Sequence, residues 1–292
     1  MSTRSGLLPV LCFGLVTVLW SCSGPIAEGP DMLLERARLR RESGQLQEAM
    51  DLLTKAIQMD AADANLYYER ALTHAEAQQW DAAVTDYDEA ILRDGAFAQA
   101  HNNRAAILAQ QGKFDVAAAG FSEAIRINPE DVLAYRNRGL VYHDMGNYTS
   151  AIADLDKAVE LDPAVHENWF MRGNACLDGG KLDDAVQSFT ESIRLNPQHA
   201  RSLLNRSHAY EQLGQTEDAE RDLARALAID PLVGAPSEPT PANSDDPEAP
   251  LLPIPEPTPA EPVTESAPTI TPDPTAEEAS GAAEPAAPVA VE

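Results

Sequence analysis

One residue type returns at one spacing along this chain. Arg36, Arg70, Arg104, Arg138, Arg172 and Arg206 follow one another at intervals of 34 residues. A guanidinium carries five N–H donors in a planar fork that matches a carboxylate through two parallel hydrogen bonds. In alternate copies a carboxylate keeps step with it. Asp86, Asp154 and Asp222 each follow an arginine by sixteen residues, where the other copies have Leu52, Gly120 and Ser188. Such a column can do one of two things. It can receive carboxylates from a partner. Or it can hold the chain's own helices together, stems packed and heads paired with aspartate or backbone carbonyls.

Residues able to support catalysis are few and scattered. The histidines are His74, His101, His143, His166, His199 and His208. No pair has the helical spacing of metal ligands, and no His-Glu-x-x-His occurs. The cysteines are Cys12, Cys22 and Cys176, too few for a disulfide framework. Cys176 falls where the flanking copies of the pattern have Tyr142 and Tyr210, which suits a buried core thiol better than a nucleophile. Glycine-rich phosphate loops and nucleophile elbows are missing. The expectation is a chain that is not an enzyme, with no cofactor, metal or small-molecule substrate.

The elements that must position the arginines follow the same period. Gly112-Lys113-Phe114, Gly146-Asn147-Tyr148, Gly180-Lys181-Leu182 and Gly214-Gln215-Thr216 recur in step, and Gly44-Gln45-Leu46 and Gln78-Gln79-Trp80 extend the series backwards. Six blocks result, 30–63, 64–97, 98–131, 132–165, 166–199 and 200–233, with no insertion. Five residues after each turn comes a small residue: Ala49, Ala83, Ala117, Ala151, Ala185 and Ala219. Four further on is a large apolar one: Leu53, Tyr87, Phe121, Leu155, Phe189 and Leu223. Three more brings Ala56, Ala90, Ala124, Ala158, Ser192 and Ala226. Steps of four and three lie on one helical face, and small residues beside large ones let two helices interdigitate. Asn128-Pro129, Asp162-Pro163, Asn196-Pro197 and Asp230-Pro231 end the second helix of their blocks, since proline cannot continue the ladder.

This pattern resembles the tetratricopeptide repeat family over residues 30–233, in period, turn glycine, small residues and closing proline. It departs at Ala61 and Gly95, which replace the proline, and at Gln78, which replaces the turn glycine. The resemblance implies an all-α fold: six helix-turn-helix repeats in a right-handed solenoid, its concave face lined mainly by first helices. The arginine position usually holds leucine in that family and belongs to the inter-helix face, which favours the structural reading of the column. The resemblance also implies a groove. Its sixth repeat position holds Glu35, Glu69, Asn103, Asn137, Met171 and Asn205, and its ninth includes Asn174. Asparagine offers donor and acceptor at once, so Asn103, Asn137, Asn205 and Asn174 could pair with the backbone of an extended peptide. Equally, these asparagines could contact only water. At the fifth position Tyr68, Phe170 and Leu204 could form apolar pockets. Only Arg136 and Arg201 approach the family's clamp for a terminal carboxylate, so that clamp is not expected. End repeats must face water. The first opens with Arg36, Arg38, Arg40 and Arg41, and the last has Glu220 where the others are apolar.

Both termini differ from this array. Arg4 precedes an apolar run from Leu7 to Trp20, too short for a membrane span of about 20 residues but suited to a secretory signal. Leu19-Trp20-Ser21-Cys22 resembles a bacterial lipobox, which implies a signal over 1–21, acylation of Cys22, a linker over 22–29 and an envelope location, on the periplasmic face of the outer membrane. An ordinary cleaved signal or an uncleaved anchor are the alternatives. Residues 234–292 hold fifteen prolines and twelve acidic residues with no Lys or Arg, a composition that cannot bury enough apolar surface to order itself. The formal net charge of -26 argues against nucleic acid and against adsorption on anionic lipid. The expected function is a scaffold that binds a protein or extended peptide. Its rivals are a non-lipidated secreted or membrane-anchored co-chaperone-like adaptor and, more remotely, an enzyme.

Overall fold

The computed structural model describes residues 28–234. The leader, Cys22 and the acidic tail beyond Gly234 lie outside the described residues. Twelve helices form six antiparallel pairs. They are α1 (Pro30–Glu42) with α2 (Leu46–Met59), α3 (Ala64–Glu76) with α4 (Trp80–Arg93), and α5 (Ala98–Gln110) with α6 (Phe114–Ile127). Then come α7 (Val132–Asp144) with α8 (Tyr148–Leu161), α9 (His166–Asp178) with α10 (Leu182–Leu195), and α11 (Ala200–Gln212) with α12 (Thr216–Ile229). No strand occurs among the described residues. Each first helix starts one sequence period after the last, so chain and structure share one register.

Local chemistry explains the boundaries. The turn within each pair needs one residue in the left-handed region. Gly44, Gly112, Gly146, Gly180 and Gly214 supply it with φ of +72° to +74°. In the second pair Gln78 takes φ +57° instead. Asp63 caps α3 through the amide of Asn65, and Asp131 caps α7 through those of Leu133 and Ala134.

The core is a chain of local clusters rather than one centre. Ala49, Leu53 and Ala56 pack with Leu66 of the next repeat, while Leu155, Phe189 and Ala175 join α8, α10 and α9. Each second helix but the last meets its pair partner and the first helix of the following repeat, which makes the stack a solenoid. First helices also touch first helices across repeats, as α5 does α7 and α7 does α9, which places them on the inner side. Close approach is built in at Gly173, where a Cβ would lie 2.5 Å from Phe189 Cε1.

The opening arginines are not all water-facing. Arg38 Nε donates to Glu69 Oε1 at 2.8 Å, and Arg41 pairs with Glu76 at 2.5 Å, so both bind the second repeat. Glu69 is buried, and a buried carboxylate needs cations.

Candidate recognition surface on the first helices

The arginine column pairs within the chain. Arg70 Nε and Nη2 each donate to Asp86 at 2.7 Å, and Nη1 donates to Thr54 Oγ1 at 3.2 Å. Arg138 repeats this with Asp154 at 2.8 and 2.7 Å and with Ser122 at 2.9 Å. Arg206 repeats it again with Asp222 and Thr190. The aspartate comes from the arginine's own repeat, the hydroxyl from the preceding one. Hydrogen bonding to Asp86 and Asp154 raises the pKa of Arg70 and Arg138 further still.

Between these copies the pattern inverts. Arg172 Nε donates to Asp156 at 2.6 Å and Nη1 donates to Ser188 at 2.5 Å, so here the carboxylate comes from the preceding repeat. Arg104 Nε lies 2.6 Å from Asp88 in the same arrangement, an ion pair without hydrogen-bond alignment, since that nitrogen has no hydrogen-bond partner. Arg36, which has no repeat before it, meets Glu28. Each internal arginine thus holds one aspartate, taken alternately from either side. The sequence reading missed Asp88 and Asp156. They stand sixteen residues before an arginine, where Asp86, Asp154 and Asp222 stand sixteen after one.

The asparagines do not form one row. Asn103 and Tyr68 are both 2% exposed. The Tyr68 ring lies 4.6 Å from that of Phe97 and 5.9 Å from that of Tyr87, and its hydroxyl accepts from Asn103 Nδ2 at 3.2 Å. Tyr68 is therefore packing rather than an open pocket, and Asn103 is the partner its buried hydroxyl needs rather than a free peptide contact. Burial pushes the Tyr68 phenol up to about 12. Further along, Asn205 Nδ2 donates to Asn174 Oδ1 at 2.8 Å, and both are half-buried. Phe170 and Leu204, also half-buried, flank this pair on α9 and α11. Phe170 lies nearly perpendicular to the His199 ring at 4.8 Å and 6.1 Å from the Phe189 ring. Asn137 is buried, and its Oδ1 has no hydrogen-bond partner among the described residues.

Two further groups belong here. Arg136, beside Asn137 on α7, is 4% exposed, and among the described residues its one hydrogen bond is from Nη1 to Asn168 Oδ1 at 3.3 Å. Cys176 is wholly buried, and desolvation pushes its thiol pKa up, which makes it a packing residue. Among the described residues no group of three or more His, Cys, Asp and Glu could hold a metal ion.

Three family models, each described as tetratricopeptide repeat, match residues 30–63, 68–132 with 170–233, and 104–172. Together with twelve helices in register, this makes the chain a tetratricopeptide repeat protein. Among solved structures it is similar to YrrB, described as a tetratricopeptide repeat protein with an unusual peptide-binding site. The identity is 26% over 61% of this chain and 92% of that one, with a TM-score of 0.57. PilF of Pseudomonas aeruginosa shares 20% identity over 69% of this chain and 92% of its own, with a TM-score of 0.59. MamA shares 18% over 53% and 91%, with a TM-score of 0.52. No curated protein matches the chain.

Proposed function

We propose that this chain is an interaction scaffold that holds an extended segment of another protein along its inner helices. One observation carries the reading. Asn174 and Asn205 pair across adjacent first helices, and the half-buried Phe170 and Leu204 stand on the same two helices, each against its own core cluster. They combine amide groups for a peptide backbone with apolar surface for its side chains. The likeness to YrrB, at 26% identity, supports a peptide as the occupant. Nothing in the site suggests bond-making chemistry.

The leader motif supports a second part of the proposal. Cys22 is acylated, and the solenoid works in a bacterial envelope, assembling or recruiting a complex there. Metabolic labelling with an acyl probe tests it, and labelling that persists in Cys22→Ser sinks it.

The scaffold itself is tested with the full chain. Proteins retained from an envelope extract are compared between wild type and Asn174→Ala with Asn205→Ala, which removes both members of the amide pair. The expected outcome is loss of the retained proteins with a Tm within a few degrees of wild type. Retention of the same proteins rejects this surface.

A further inference from the structure

The pattern of an internal repeat boundary continues onto both ends of the array. Inside the stack, the third position of each first helix fits against the repeat before it. Leu66 packs on Leu53 and Ala56, and Ala100, Ala134, Asn168 and Ser202 hold the same place, all buried. The tenth position is buried too, at Thr73, Ile107, Val141, Ala175 and Ala209, and Ile107 and Val141 join clusters of the preceding repeat. On α1, which no repeat precedes among the described residues, these places hold Met32 and Leu39, 48% and 63% exposed. An end face built for water is polar in a solenoid, and this one keeps two large apolar side chains in boundary register.

The last helix keeps the opposite half of the boundary. Ile57 packs on the second repeat, and Ile193 packs on Leu203 of the sixth. Leu227 holds that place on α12 and is 43% exposed. Leu223, one turn earlier, is half-buried where Leu53, Tyr87, Phe121, Leu155 and Phe189 are buried.

Polar groups at the two ends match as well. Arg38 on Glu69 and Asn174 on Asn205 each join the ninth position of one first helix to the sixth of the next. The ends of that series are His208 on α11 and Glu35 on α1, both exposed. An imidazole and a carboxylate form a donor–acceptor couple. Glu220 holds the place of Ile152, whose Cδ1 lies 3.6 Å from where a Cβ on Gly179 would be, at the end of the next first helix. The matching place after α1 is Ser43, whose hydroxyl can donate to a carboxylate. Glu42 and Glu211 are also brought near, and both are exposed and can turn to water.

We infer that α12 of one molecule seats on α1 of a second copy, so that the solenoid continues head to tail from one chain into the next. A second copy supplies the apolar face, the partner for Glu35 and the partner for Glu220 in a single register, the one used at every internal boundary. The contact joins two different faces, so each molecule keeps a free end and growth does not stop at a dimer. A formal net charge of -26 on every copy keeps it weak.

Sedimentation velocity of the full chain tests it, from about 1 µM to about 300 µM, the range in which a modest interface forms. The weight-average mass should climb with concentration past that of a dimer. Leu39→Glu and Leu227→Glu each block one end, and each alone should stay monomeric with an unchanged far-ultraviolet spectrum. Their equimolar mixture should regain dimers and stop there, because one variant keeps a working α12 and the other a working α1. A wild type that is monomeric throughout overturns the inference. So does association that survives either substitution, as pairing of α1 with α1 or contacts through the termini would give, and so does a mixture that stays monomeric.

Discussion

Removing Arg138 should unfold its neighbourhood more readily than removing Arg104, although the two hold the same place in the repeat. Asp154 is 9% exposed and accepts two hydrogen bonds from Arg138, at 2.8 and 2.7 Å. Arg138→Met leaves that carboxylate buried and unpaired, which costs about 3 kcal/mol, the lower end for breaking a buried pair. For an array of this size that is a Tm loss of roughly 6–12 °C. Asp88, the partner of Arg104, is 53% exposed and can turn to water. Arg104→Met should therefore cost under about 1 kcal/mol. Urea denaturation of the full chain, followed by far-ultraviolet circular dichroism, reads both. The double variant Arg138→Leu with Asp154→Leu should recover to within about 1 kcal/mol of wild type, since no buried charge is stranded. Equal losses for Arg138→Met and Arg104→Met, or a double variant no better than the single, would refute the argument from burial.

Other consequences follow from single positions. Gln78→Gly should raise stability by about 0.5–1 kcal/mol by thermal unfolding, because Gln78 holds φ +57° where the other copies have glycine. Gly173→Ala should lower it by about 1–3 kcal/mol, as the new Cβ meets the Phe189 ring, and no loss would show that the ring can move aside. His143 has its pKa raised by Asp144 and by Asp178, the latter 2.7 Å away on α9. A raised folded pKa stabilises fully below the unfolded value of about 6.5 and the gain is lost as pH rises through the folded value. The Tm gap between wild type and His143→Gln should therefore be wider at acid than at alkaline pH, and a gap that widens with pH contradicts the ion pair.

The repeat was legible because each of its parts is a local requirement. A turn glycine, a small-large-small face and a closing proline are read within one helix pair, and the next pair repeats them. Part of the arginine column was legible for the same reason: Asp86, Asp154 and Asp222 lie in the arginine's own repeat. Asp88 and Asp156 act across a repeat boundary, and that reach depends on how successive pairs stack.

The recognition surface was less legible. The repeat position of Asn103 and Tyr68 places both on a first helix, but not how deep they lie. Phe97 and Tyr87 close over Tyr68, and the tyrosine hydroxyl then claims Asn103. Sequence alone determined the helices, their number and their register, because backbone geometry and the spacing of apolar residues suffice for those. Tertiary structure alone decided which polar groups are satisfied. That depends on residues about one repeat apart meeting at hydrogen-bond distance, and it left Arg136 buried with Asn168 rather than a carboxylate as its hydrogen-bond partner among the described residues.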